Sequence, residues 1–233
     1  MKKLVPFFAL VLLACSCEFV SYSGNASADK SGFRIDLDTH SGETVHDTLD
    51  LKDFNKITVN GQGNIDFVQS PDFLVVLHAE EGVAERLNCY VRNGRLVLER
   101  KDRSLPMRAK YSFTIQAPLV TKICVNGAAD LDMASYMADE NLDIEVNGAG
   151  DLKCSGIIVP GFNIMVNGAG DIDASDILVD ALSVEVNGAG DAKLSGEAQT
   201  ASFRLSGAGD IDARDLKAQK VEKQKNGVGK IRL

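Results

Sequence analysis

Five aspartates recur at nearly equal spacing in the second half of the chain: Asp130, Asp151, Asp171, Asp191 and Asp210. Carboxylates are the hard oxygen ligands that Ca²⁺ takes. If equivalent residues lie one above another about 4.8 Å apart, they repel by roughly 0.9 kcal/mol per pair even in a water-like dielectric. A bound calcium ion would relieve that repulsion, which makes these five residues calcium candidates. Each ends a glycine-rich phrase such as Val146-Asn147-Gly148-Ala149-Gly150-Asp151. The calcium-binding nonapeptide Gly-Gly-x-Gly-x-Asp-x-U-x also has glycines before an Asp, but its period is about nine and one residue separates its last glycine from the Asp. Here the Asp follows glycine directly in four copies and Ala129 in the first. That favours an Asp that accepts hydrogen bonds from glycine N–H groups of its own corner and otherwise faces water.

Other chemistry is sparse. His40, His46 and His78 all precede the repeats and lack ligand spacing, so they read as surface residues. Trp is absent and aromatics make up 6% of the chain, so the regular repeats lack stacking platforms for sugars; Tyr90 and Tyr111 read as strand residues. No Gly-x-Ser-x-Gly, His-Glu-x-x-His or phosphate loop occurs, and no helix pattern follows the Gly-Ala-Gly-Asp stretches to make a nucleotide site. Cys89, Cys124 and Cys154 have no Cys-x-x-Cys spacing and read as small core or strand residues. A net charge of −8 argues against nucleic acid and anionic membrane surfaces. No catalytic residue, no cofactor and no metal beyond the calcium candidates is expected. The non-enzymatic reading leads, with a polysaccharide-acting β-helix enzyme or a calcium-stabilised repeat protein as the alternatives.

What positions the aspartates is a repeat. The Asn or Ser of the phrase falls at Asn126, Asn147, Asn167, Asn187, Ser206 and Asn226, in steps of 21, 20, 20, 19 and 20 residues. That self-similarity belongs to solenoids, whose units are stable only when stacked. Counting from the Asn, the positions five, three and one before it are apolar, as in Leu142-Ile144-Val146 and Phe162-Ile164-Val166. This is the period of a half-buried strand. Alternation resumes five and seven residues after the Asn, as in Leu152 and Cys154, so each repeat holds two short strands and a glycine corner.

A hairpin per repeat and a coil per repeat both fit that pattern. The position six after the Asn separates them, because it reads Asp132, Lys153, Asp173, Lys193, Asp212 and Arg232. Alternating sign from copy to copy has a reason only if equivalent residues are neighbours along a stack, where each exposed pair contributes about 0.5 kcal/mol. Stacked coils also allow the side-chain amides of Asn126, Asn147, Asn167, Asn187 and Asn226 to form a hydrogen-bonded ladder, with Ser206 a weaker rung. In the last copy Lys223 and Lys225 replace the apolar residues, giving a polar C-terminal cap.

Met1-Lys2-Lys3 and the apolar run Leu4 to Ala14 have the form of a secretory signal, 1–14. Leu12-Leu13-Ala14-Cys15 resembles a bacterial lipobox, which makes Cys15 the lipid-attachment candidate and the membrane a partner through that lipid. Residues 15–31 read as a flexible tether and 32–233 as one β-helix domain, irregular over 32–118 and regular over 119–233. Val59-Asn60-Gly61-Gln62-Gly63-Asn64-Ile65-Asp66 is an outlying copy of the phrase, and Glu81 to Leu87 is the one short helix candidate.

The lipoprotein start, the segment Phe54-Asn55-Lys56-Ile57-Thr58-Val59-Asn60-Gly61, Ile65-Asp66-Phe67-Val68-Gln69 and the repeated Val-Asn-Gly-Ala-Gly-Asp together resemble a bacterial family described as putative auto-transporter adhesin, head GIN domain. The similarity runs from about Phe54 to the end. It implies an all-β, right-handed single-stranded β-helix on the cell envelope of Bacteroidetes-like bacteria, exported and attached at the outer membrane. It also implies a role in adhesion toward a cell-surface glycan or protein ligand. The chain has Gly63-Asn64-Ile65 but no Gly-Ile-Asn tripeptide.

Overall fold

The computed structural model describes residues 44–101 and 109–233; segment 1–14, Cys15 and the tether lie outside the described residues. In chain order the strands are β1 Thr44–Leu49, β2 Lys56–Gln62, β3 Asn64–Gln69, β4 Leu74–Glu80, β5 Leu87–Arg92, β6 Arg95–Arg100, β7 Tyr111–Ala117 and β8 Lys122–Ala128. Next come β9 Leu131–Met137, β10 Leu142–Ala149, β11 Leu152–Ala169, β12 Ile172–Ala189, β13 Ala192–Ala208, β14 Ile211–Lys225 and β15 Ile231–Arg232.

The strands pair in parallel, each repeat on the next. Val146 lies between Val125 and Val166, and Ile164 between Ile144 and Val184. Equivalent residues therefore form continuous columns, and the body is a β-solenoid of about six turns with coils about 20 residues apart. A hairpin per repeat is ruled out by this register.

Each regular coil points three groups of apolar residues inward. In one coil these are Leu152 and Cys154, then Ile157 and Val159, then Phe162, Ile164 and Val166, all buried. The first and last groups match the two strands read from the sequence. The middle group follows a second bend at Ser135, Gly156, Asp176 and Gly196, where φ is +55°, +64°, +53° and +125°. Gly adopts these angles freely and Asp with a small local penalty, so no common residue marks this bend.

The unequal repeat lengths are absorbed outside the core strands. The 21-residue step carries its extra residue in the turn between Met137 and Leu142, since Met137 pairs with Ile158 but Leu142 with Phe162. The 19-residue step loses one at the second bend, where pairing passes from Ala174–Leu194 to Ile177–Gly196. A slip inside a strand would have turned every apolar side chain outward.

The N-terminal half differs from the expected run of irregular coils. Strands β2 and β3, the first copy in sequence, stack directly on β8 and β9 with Asn60 against Asn126. The later strands β6 and β7 add in parallel to the other side of β2 and β3. Antiparallel strands then close that end: β5 on β6, β4 on β7 and β1 on β4. Antiparallel pairing lets a short turn reverse the chain, which ends the coiled stacking. The helix candidate reduces to a 3₁₀ turn at Ala84–Arg86. At the opposite end Lys223 and Lys225 pair with Phe203 and Leu205, and β15 covers only Ile211 and Asp212 of β14.

Candidate functional site

The repeated corner is built by the approach of neighbouring coils. Gly148 (φ +146°) stacks on Gly127, and a Cβ at Gly148 would fall on the Gly127 carbonyl oxygen; a Cβ at Gly150 would fall on that of Ala129. The same holds at Gly168 over Gly148 and Gly188 over Gly168. Glycine is required here because a backbone carbonyl occupies the place of a side chain, in addition to the dihedral angle.

The asparagine amides join along the stack. Nδ2 of Asn187 donates to Oδ1 of Asn167 (2.9 Å), Asn167 to Asn147 (2.8 Å), Asn147 to Asn126 (3.1 Å) and Asn126 to Asn60 (3.0 Å). All donors point toward the N-terminal end, where Asn60 donates to a carboxylate oxygen of Glu99 (3.3 Å). Asn60 was not among the rungs expected from the sequence, although its copy of the phrase could have supplied it. Asn226, which was, is not one. Among the described residues no side-chain bond carries the chain past Asn187, since Ser206 lacks an amide to relay it, and Asn226 is held instead by its backbone N–H on the Leu205 carbonyl (2.7 Å).

The aspartates also connect coils. The backbone N–H of Asp151 donates to Oδ1 of Asp130 (2.9 Å), that of Asp171 to Asp151 (3.0 Å), Asp191 to Asp171 (2.8 Å), Asp210 to Asp191 (2.7 Å) and Lys230 to Asp210 (2.7 Å). The donor thus comes from the adjacent coil, not from the glycines of the same corner. At the N-terminal end Asn64 takes the Asp position, accepting from the Asp130 N–H (3.2 Å) and donating to its Oδ2 (3.2 Å). Among the described residues no three His, Cys, Asp or Glu side chains converge closely enough to hold a metal ion.

The charged column is stacked in the register that alternation requires: Asp132–Lys153, Lys153–Asp173, Asp173–Lys193, Lys193–Asp212 and Asp212–Arg232. Its close ion pairs run elsewhere, from Arg214 to Asp212 (2.6 Å) and Arg232 to Asp210 (2.8 Å). Arg214 holds the Asp212 carboxyl down at about 2. Alternation breaks at Asp66–Asp132, two acids side by side. On the outer face of the Asn strands, Glu145 accepts from Asn147 (2.9 Å) and pairs with Lys122 (3.0 Å), and both partners lower its pKa.

Three features were not legible beforehand. His46 and His78 lie opposite each other on β1 and β4, with Nδ1 atoms 2.6 Å apart, and His78 Nε2 meets Thr114 Oγ1 at 2.8 Å. Tyr136 is buried, its hydroxyl donating to the Val120 carbonyl (2.7 Å) and accepting from the Val120 N–H (3.0 Å). A groove of about 540 Å³ at the N-terminal end is lined by polar groups including His78, Glu80, Lys110 and Tyr111. Cys154 is buried, and burial pushes the Cys89 thiol up to about 11, so neither presents a ready thiolate. Among the described residues no helix is long and apolar enough to cross a membrane.

Parallel coils joined at a glycine corner by amide and carboxylate columns define a β-solenoid whose repeated motif serves stacking. Residues 53–233 match the family model described as putative auto-transporter adhesin, head GIN domain, and the chain belongs to that family. Three solved structures share the fold. A Bacteroides fragilis protein described as a putative adhesin is 21% identical, with 82% of this chain and 97% of that one covered and a TM-score of 0.62. A putative adhesin of Parabacteroides distasonis is 18% identical, with 82% of each chain covered and a TM-score of 0.69. A second protein of that species, described as a putative lipid binding protein, is 17% identical, with coverage of 82% and 94% and a TM-score of 0.65. Among functionally curated proteins none is significantly similar to the chain.

Proposed function

We infer that the protein is an exported cell-envelope lipoprotein, attached through Cys15, whose solenoid is a non-enzymatic scaffold for adhesion to a surface glycan or protein. The observation that carries this reading is the use of the repeated phrase within the fold: glycine, Asn and Asp each join one coil to the next. A repeat committed to stacking makes a rigid body whose outer faces are left for recognition. Family membership supports the same reading.

The test pairs a glycan and matrix-protein binding array with a turnover assay on the same ligands, and adds protease accessibility on intact cells. Binding without cleavage, by a protein that protease reaches from outside and that is lost from membranes when Cys15 is replaced by Ala, is the expected result. Turnover of a bound polysaccharide would replace this reading with the enzymatic one.

A further inference from the structure

The C-terminal end of the stack combines two properties. The first is an open strand edge. Strand β14 pairs with β13 on one side, but on the other only Ile211 and Asp212 are covered by β15, leaving the backbone from Arg214 to Lys225 without a partner strand among the described residues. The second is charge. Residues 211–233 carry Arg214, Lys217, Lys220, Lys223, Lys225, Lys230 and Arg232 against Asp212, Asp215 and Glu222, in a chain whose net charge is −8.

Several of these cations are matched locally, Lys217 by Glu197 (3.1 Å) and Lys220 by Glu222 (2.8 Å). Lys223 and Lys225 have a different placement. They continue the inward columns of Phe203 and Leu205, are exposed, and Lys225 Nζ reaches only a backbone carbonyl, that of Gly229 (3.0 Å). A strand added to this edge would set its alternate side chains directly over these two ammonium groups, about 4.8 Å away. An apolar or basic strand there is penalised; an acidic one is paired. A second copy of the same edge would bring lysine against lysine, so the charge that blocks self-association selects an acidic partner.

The geometry points to the β14 edge as a docking site for an extended acidic peptide segment, added as a further strand. This rests on the scaffold reading and names the partner chemistry for one end of it. Main-chain pairing supplies the affinity and the Lys223–Lys225 spacing supplies the selectivity.

The test uses the full chain and a fluorescein-labelled peptide of alternating Glu and Thr, followed by fluorescence anisotropy at low salt. Two control peptides are the Lys–Thr counterpart and the Glu–Thr peptide N-methylated at alternate residues, which keeps the charge but cannot pair with an edge. The Glu–Thr peptide is expected to bind, both controls at least about tenfold more weakly, and the double variant Lys223→Glu, Lys225→Glu to lose binding by a similar factor. Both lysines are exposed, so the variant is expected to keep its melting temperature. Equal binding of the N-methylated peptide would assign the end to polyanions in general and overturn strand addition; so would no binding, or unchanged binding by the double variant. If the peptide fails while the protein still binds glycans or matrix proteins, the edge proposal falls and the scaffold reading stands. If the peptide binds but no surface ligand does, the scaffold reading falls.

Discussion

At Gly168 the place of a Cβ is taken by the Gly148 carbonyl, so Gly168→Ala must push two coils apart. The expected cost is about 3 kcal/mol, at the upper end for a point substitution and far above the ordinary Gly–Ala difference, and urea unfolding measures it. The aspartate column separates hydrogen bonding from metal binding. Asp171 accepts the Asp191 N–H, and Asn keeps that acceptor while Ala does not. Asp171→Asn should stay within about 0.5 kcal/mol of the parent and Asp171→Ala should lose about 1 kcal/mol. Millimolar Ca²⁺ should leave the melting temperature unchanged, and a rise of several degrees would assign the column to calcium instead. The columns themselves were legible because identical residues recur at one spacing. The identity of the hydrogen-bond donor was not, because a backbone N–H from the next coil carries no mark in the sequence.

Among the elements, the strands nearest the Asn were readable from alternation, whereas the second bend was not. Ser135, Gly156 and Asp176 share a left-handed backbone, Gly196 takes a wider positive φ of +125°, and the four share no side-chain chemistry. The antiparallel end was hidden for a related reason: the apolar runs Leu74–Leu77 of β4 and Leu96–Leu98 of β6 mark strands, but such a run does not say in which direction its neighbour lies. The outer face of the Asn strands carries a pH dependence. Glu145 has its folded pKa lowered from the ordinary 4.5, chiefly by the Asn147 amide and then by Lys122. A lowered folded pKa means that its stabilisation is fully present above the unfolded value and is lost as pH falls through the folded one. The melting temperature should therefore fall as pH drops below about 4.5. Glu145→Gln should flatten that fall and change little at pH 7.

For the whole molecule, register-matched coils imply that one can be removed. Deleting residues 172–191 joins Asp171 to Ala192, and Ala192 already occupies the position of Ile172 in its own coil. The shortened chain should fold to a less stable solenoid with unchanged β-type circular dichroism. It should also show a salt-dependent loss, because the deletion places Lys153 beside Lys193. Aggregation of that chain would mean that the coils are not interchangeable. The central claim is that the repeated phrase joins coils, and residue-resolved amide hydrogen exchange tests it most directly. The backbone N–H groups of Asp151, Asp171, Asp191 and Asp210 sit at exposed corners yet donate to the aspartate of the preceding coil. They should exchange as slowly as the strand amides of Val146, Val166 and Val186. Exchange at the free rate of an open loop, with the strands still protected, would contradict the account.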